Sequence, residues 1–204
     1  MRATKERIMK RKTAIFLMAL RDSLPILMGY GTMGFAAGVV FAACSGAERP
    51  ALWSGAIAAS SFSGTLQFAI GGWFKGDSSL AFVALATLAI SFRYAFYGFS
   101  LIGKWRGIGL LRKAFLILGL TDENYALESS RRIPGRRDFA RYCTFLTSLN
   151  LLYWTGGCTL GALVGSAFKL PDKGIDFVMA ALFLTVLTDQ ARSLVSGARK
   201  GGEK

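Results

Sequence analysis

The chain reads as an all-α integral membrane protein of about four to six transmembrane or re-entrant helices, and three features of the sequence lead there. Apolar residues make up 52% of the chain and its mean hydropathy is +0.41, too apolar for a soluble domain. Three stretches run without a charge for 25, 25 and 27 residues, Ser23–Ala47, Pro50–Phe74 and Tyr142–Phe168, and a bilayer crossing needs only about 20. The 25 Lys and Arg against 12 Asp and Glu sit almost wholly in short connections beside apolar runs, a pattern of membrane topology rather than of nucleic-acid binding.

The same composition narrows the chemistry. Histidine is absent, which removes the commonest general base and metal ligand and weakens any enzyme reading. Cys44, Cys143 and Cys158 have no CxxC spacing and lie in or beside apolar segments, which argues against a zinc site or a disulfide framework. No cofactor or metal is expected.

In chain order, residues 1–21 carry Arg2, Lys5, Arg7, Lys10, Arg11, Lys12 and Arg21 around the short apolar run Ala14–Leu20. Seven apolar residues cannot span, and Arg21-Asp22 follows where a signal peptide would have small residues. This part is read as a basic cytoplasmic segment on the inner membrane face, residues 22–192 as the polytopic membrane domain and residues 193–204 as a polar tail.

Ser23–Ala47 is the first span, with Gly34 and Gly38 forming a GxxxG face suited to close helix packing. Pro50–Phe74 is interrupted at its middle by Ser60-Ser61-Phe62-Ser63-Gly64-Thr65-Leu66-Gln67. A run that polar makes a poor lipid-facing helix; where it lines a cavity it can unwind and offer backbone groups and half-helix ends to a substrate.

The next segment contains Arg93, the one charge among the 26 residues between Asp77 and Lys104. An ionisable group at that depth costs at least about 2.5–3.5 kcal/mol on insertion scales and marks a functional site by default, although a permanent ion pair made for assembly alone stays open. After the basic connection Lys104–Lys113 come only eight uncharged residues, Ala114–Thr121, before Asp122-Glu123-Asn124. Those eight residues cannot span. Asp122 and Glu123 either end a re-entrant half-helix, partner Arg93 in the interior, or sit in a surface loop.

The basic stretch Arg131–Arg141 leads into Tyr142–Phe168. There Gly161-Ala162-Leu163-Val164-Gly165-Ser166-Ala167-Phe168 matches Gly34–Phe41 as GxxxGxxF, a sign of an internal repeat. A short apolar piece, Phe177–Thr188, closes the chain. If every segment up to Arg93 spanned from an inside N-terminus, Lys104–Lys113 would face outward with four positive charges, against the positive-inside tendency. A re-entrant segment around Ser63-Gly64 removes the conflict and puts both basic loops inside, with Glu48-Arg49 and Lys169–Lys173 outside.

Several pieces in order then resemble the AzlC family, the larger subunit of two-component exporters of branched-chain amino acids. They are Pro25-Ile26 with the Gly-rich span, Ser63–Phe68, Arg93 running into Tyr97–Leu101, Thr121–Leu127, Asn150 with Trp154 and Gly161, and Asp176-Phe177 through Leu182-Phe183 to Asp189-Gln190. The resemblance implies a bacterial inner-membrane, multi-pass transporter subunit with a cytoplasmic N-terminus. It also implies a small AzlD-type membrane subunit as partner, the lipid bilayer, an apolar amino acid as substrate, and ion-coupled antiport.

On that footing Arg93 is expected to bind the substrate carboxylate as a planar two-pronged donor, with Ser63, Gly64, Gln67, Asn150 and Trp154 completing the substrate site. Phe92, Tyr94 and Phe96 are expected near the substrate side chain, and Asp122, Glu123 and Asp189 are expected as coupling or ion-pair groups. The Gly34/Gly38 and Gly161/Gly165 faces are expected to receive the small subunit. The chain departs from the family at two points: Ser91 and Tyr94 stand where an Asn-x-Arg-His motif is expected, and it stops at Lys204 where members continue through further apolar segments, which reads as a shortened member. A non-transporting scaffold subunit, or a membrane-embedded enzyme using Asp122 or Glu123, are the other readings.

Overall fold

The computed structural model describes residues 2–75 and 78–168, with Leu184 and Thr188 beyond them. The described residues form seven helices and no strand: α1 Arg2–Cys44, α2 Pro50–Ser61, α3 Gly64–Lys75, α4 Leu80–Leu101, α5 Leu110–Leu118, α6 Asp122–Ser130 and α7 Arg136–Phe168. Three of these, α1, α4 and α7, contain stretches long and apolar enough to cross a membrane. The protein is an all-α, multi-pass membrane protein.

Two long helices form the spine. α1 has 43 residues, about 64 Å at the standard rise, and runs parallel to the 33-residue α7. Arg11 pairs with Asp138, Phe16 stacks edge-on against Phe145 at 5.4 Å, and Gly34 lies beside Trp154 and Gly157, so the two chains climb together. The approach is closest where side chains vanish. A Cβ on Gly38 would overlap the backbone of Cys158 and Ala162, and one on Gly161 would overlap the carbonyl of Phe35. Without a hydrophobic driving force in lipid, such backbone-to-backbone packing is what holds helices together.

This corrects the expected use of the glycine faces. Gly34/Gly38 and Gly161/Gly165 are already filled by each other's helices and are not free for a small subunit. The GxxxGxxF match thus marks two helices that pack against one another. The structure also carries no break at residue 21, where the basic segment was expected to end. α1 is continuous because nothing between Arg2 and Pro25 breaks a helix, and Ile15 and Ala19 are buried against Tyr142, Cys143 and Leu146 of α7.

The other helices fold into two hairpins that enter from opposite ends. α2 starts beside the end of α1 with Pro50 in its first turn, where a missing N–H costs nothing. Ser54 then donates to the Cys158 carbonyl at 3.2 Å, and the descent ends at Phe62 beside Tyr30. α3 begins against Trp154 and returns: Gln67 donates to Ser54 at 3.1 Å and Gly71 lies against Phe41. At 12 residues each, about 18 Å, neither arm crosses a hydrocarbon core of about 30 Å. The segment folds back as a hairpin of two half-helices.

α4 then runs antiparallel to α1. Phe82 packs edge-on against Trp73 near the C-terminal end of α3, Tyr94 reaches Ser63 at the hairpin tip, Tyr97 stacks on Tyr125, and Lys104 binds the last carbonyls of α6. α5 climbs from the basic end of α7 to Gly119, which lies against Thr147, and α6 descends again until Arg131 pairs with Asp22. The chain therefore repeats a unit of one long helix followed by a broken hairpin, α1 with α2–α3 and α4 with α5–α6, in opposite directions. Each hairpin packs into its own apolar cluster, one around Ala37, Val40, Ala58 and Phe68, the other around Trp105, Leu116, Leu120 and Leu146.

Two outcomes follow from this frame. Gly38→Leu or Gly161→Leu should destabilise the chain itself by more than the about 1–3 kcal/mol of ordinary overpacking, since backbone must move; wild-type melting of the purified variants would show the packing to be wrong. In a background lacking Cys44, Cys143 and Cys158, single cysteines at residues 108 and 133 should react with an impermeant thiol reagent from one membrane side and a cysteine at residue 48 from the other. Labelling of 48 and 108 from the same side would overturn the hairpin assignment.

Candidate functional site

The two hairpin tips meet at Tyr30. Its ring packs edge-on against Phe62 at 6.2 Å and Trp154 at 5.6 Å. Its hydroxyl lies 2.9 Å from Thr121 Oγ1 and 2.6 Å from Glu123 Oε2. A phenol carries one proton, so it donates to the carboxylate while Thr121 supplies the second contact. One side chain of α1 thus joins the α2–α3 tip, the α5–α6 tip and α7.

Each tip is built to leave a helix N-terminus pointing inward. At the first, Phe62 takes a left-handed conformation, φ 43 and ψ 42, while buried. That conformation is uncommon for a bulky residue, and an outlier held by its surroundings at a junction points to function. Ser63 follows as the cap of α3, its Oγ within 3.4 Å of Leu66 N and its carbonyl accepting from Gln67 N. At the second tip Thr121 caps α6, accepting from Asn124 N at 3.3 Å. Both N-termini carry orphan N–H groups and the positive end of a helix dipole, and both favour an anion.

Below the second tip, Asn124 donates to the Gly119 carbonyl at 2.6 Å and accepts from Asn150 Nδ2 at 2.6 Å. This pair ties the break between α5 and α6 to α7. Asn150 Oδ1 and Trp154 Nε1, one helical turn apart, are buried with no hydrogen-bond partner among the described residues. An acceptor and a donor so placed suit a ligand that has both kinds of group.

The residues singled out from sequence fall as follows. Ser63, Gly64 and Trp154 come together at the first tip, with Gly64 packed on the Trp154 ring. Asn150 stands beside the second tip through Asn124. Gln67 sits one turn into α3 and braces it to α2 through Ser54. Asp122 and Glu123 form the first turn of α6, starting a half-helix rather than ending one. Arg93 lies on α4 immediately before Tyr94, whose hydroxyl donates to Ser63 Oγ at 3.3 Å; the Arg93 side chain and the whole of Asp189 lie outside the described residues. Phe92 and Phe96 do not line the site: each is 61% exposed, and they pair with one another at 5.4 Å on the outer face of α4.

Sequence reasoning missed Tyr30, Phe62 and Asn124. Tyr30 precedes Gly34 and Gly38 at four-residue spacing on one helix face, a signal that this face meets more than a neighbouring helix. Asn124, three residues after Thr121, fits a capped helix start.

Asn124→Ala and Asn150→Ala should each destabilise the protein by about 1–3 kcal/mol, by orphaning the other buried amide. The double variant should lose less than the sum, with a coupling of at least about 0.5 kcal/mol. Additive losses in a thermal or denaturant cycle would show that the pair does not form.

Comparison with known proteins gives a consistent picture. The family profile described as "AzlC protein" matches residues 25–168. A protein of Bacillus subtilis named "Branched-chain amino acid transport protein AzlC" is 32% identical over 178 residues, 87% of this chain and 68% of that protein. An "Uncharacterized membrane protein" of Haemophilus influenzae is 32% identical over 82% of this chain and 67% of its own length. "Inner membrane protein YgaZ" of Escherichia coli is 27% identical over 86% of this chain and 73% of its own length. No solved structure matches.

Proposed function

The chain belongs to the AzlC family, and on that footing we propose that it is the large membrane subunit of an exporter of branched-chain or other apolar amino acids. It works by ion-coupled antiport with a small AzlD-type subunit, in the bacterial inner membrane with its N-terminus in the cytoplasm. The observation that carries this reading is the convergence of the α3 and α6 N-termini on Tyr30, from hairpins that enter from opposite ends. Transporters bind substrate where broken half-helices meet near the bilayer midplane.

An amino acid is a zwitterion, and the site offers complementary groups. The carboxylate goes to the N-terminus of α3, where Ser63 and Gly64 stand, and to Arg93 of α4. The ammonium goes to Glu123 and Asn150, and the apolar side chain to the faces of Phe62 and Trp154. Asp122, Glu123 and Asp189 are the candidates for ion coupling. The basic connections at residues 104–113 and 131–137 share one end of the molecule with the Arg11 half of α1, which supports a cytoplasmic assignment for that end. With the glycine faces occupied, the small subunit is placed on α4, whose apolar outer face has Leu85, Leu88 and Phe99 exposed.

The test is efflux of branched-chain amino acids from cells loaded with dipeptide. Expression with the small subunit should raise efflux, and Arg93→Lys should leave a folded, inserted protein whose efflux falls at least about tenfold. A Lys keeps the charge but not the two-pronged geometry. Wild-type efflux by Arg93→Lys would refute the carboxylate role; loss of the variant from the membrane, restored by neutralising Asp122 or Glu123 as well, would identify a structural ion pair instead.

A further inference from the structure

A cavity of about 270 Å³ opens at the basic end of the molecule, between the α4–α5 connection and the first turns of α7. Arg112 reaches it from α5, and Arg136, Arg137 and Arg141 reach it from α7, with Gly107 in the opposite wall. Gly107 has φ +80 and open space at its Cβ position, so a tight turn there leaves the wall low.

The charges in this cavity are not balanced. Arg141 donates to Asp138 at 2.9 Å, and Arg11 shares the same carboxylate. Arg112, Arg136 and Arg137 form no ion pair among the described residues, whereas Arg131 nearby is committed to Asp22. Arg112, Arg136 and Arg137 are exposed and line one cavity with charges of one sign, and the start of α7 adds orphan N–H groups and a helix dipole of the same sign, a combination that attracts an anion. A planar guanidinium binds a phosphate through two parallel hydrogen bonds.

Between two of the residues that line the cavity, Gly109 and Arg112, the chain presents apolar side chains. Leu110 and Leu111, in the first turn of α5, are 82% and 89% exposed, and Leu118 continues the exposed apolar surface of α5. A free phosphate has no use for such a surface, but a molecule with a phosphate head and acyl tails does. Basic pockets between helices on the cytoplasmic side, the side proposed above for this end, hold lipid headgroups.

We propose that Arg112, Arg136 and Arg137 bind the phosphate of an anionic glycerophospholipid whose acyl chains lie along Leu110, Leu111 and Leu118 of α5. The lipid clamps the α4–α5 connection to the base of α7 and so fixes the root of the second hairpin. This site stands apart from the substrate site and does not depend on the transport reading.

The test uses the full chain purified in neutral detergent and titrated separately with phosphatidylglycerol, phosphatidylcholine and inorganic phosphate, with lipid retention read by native mass spectrometry and stability by thermal shift. Phosphatidylglycerol should be retained and should raise the melting temperature, and the other two should not. The triple variant Arg112→Gln, Arg136→Gln, Arg137→Gln should bind phosphatidylglycerol about a hundredfold more weakly, at about fivefold for each basic side chain near an anionic headgroup. Arg106→Gln with Arg132→Gln removes exposed charges at the same end but outside the cavity and should bind as wild type. Equal retention by the triple variant and wild type, or an equal loss in the control variant, would overturn the site. Stabilisation by inorganic phosphate matching that by phosphatidylglycerol would overturn the lipid assignment in favour of a soluble anion.

Discussion

The structure depends on the backbone-to-backbone contact between α1 and α7. At Gly38 the facing chain is the peptide of Cys158, and at Gly161 it is the carbonyl of Phe35, so the two helices meet with no side chain between them. In lipid this is the strongest packing available, because apolar side chains gain nothing by leaving hydrocarbon for protein. A rigid pair of parallel helices results. It gives the shorter helices a wall on which to end, which the bilayer cannot.

That wall is what makes two broken hairpins tolerable. A helix end inside a membrane exposes up to four unpaired backbone groups, each costing several kcal/mol against hydrocarbon. The structure meets this need locally with side chains: Thr121 accepts from the Asn124 amide, Asn124 donates to the Gly119 carbonyl, and Ser63 caps α3. Tyr30 and Trp154, from the two spine helices, pack their rings on the first tip, and the Tyr30 hydroxyl reaches the second. The ends that remain open face each other across Tyr30 instead of lipid. The proposed substrate site is therefore tied to a folding problem: the same N–H groups that burden the fold are those that can hold an anion.

Much of this was legible in the sequence, and what was not has physical reasons. The re-entrant segment could be read because Ser60–Gln67 is too polar for a lipid-facing helix and because the positive charges of Lys104–Lys113 had to be reconciled with those of Arg131–Arg141. The second hairpin was legible only in part: eight residues, Ala114–Thr121, are too few to span, but the sequence left open whether Asp122 and Glu123 end a half-helix, pair with Arg93 or sit in a loop, and in the structure they start α6. The glycine faces announced close packing, but a GxxxG pattern does not say which helix it meets, and here it meets its counterpart in the same chain. Phe92 and Phe96 flank Arg93 in sequence, yet helical geometry turns i and i+4 to a face of α4 that points away from the tips. The spacing of Tyr30 to Gly34 and Gly38 marks its helix face, but a lone phenol in an apolar helix does not announce a junction until the chain folds two helix starts onto it.

Under the proposed transport role, the charge content of the centre limits what can bind there. A neutral amino acid has one negative and one positive group, and the residues assigned to it are one cation, Arg93, and one anion, Glu123, whose carboxylate is already within 2.6 Å of the Tyr30 hydroxyl. With the charges of Asp122 and Asp189 left to the coupling ion, the loaded site is electrically balanced, and a balanced set of charges is far cheaper to hold in a low dielectric than an unbalanced one. A substrate with a charged side chain would leave one charge unmatched against Phe62 and Trp154, whose rings supply apolar surface, one indole N–H and no counter-ion. An apolar side chain leaves nothing unmatched and gains contact with both rings. Discrimination between amino-acid classes can thus rest on charge balance at the tips, leaving discrimination among apolar side chains to the volume between Phe62 and Trp154, where one methylene is worth only about 1–3 kcal/mol.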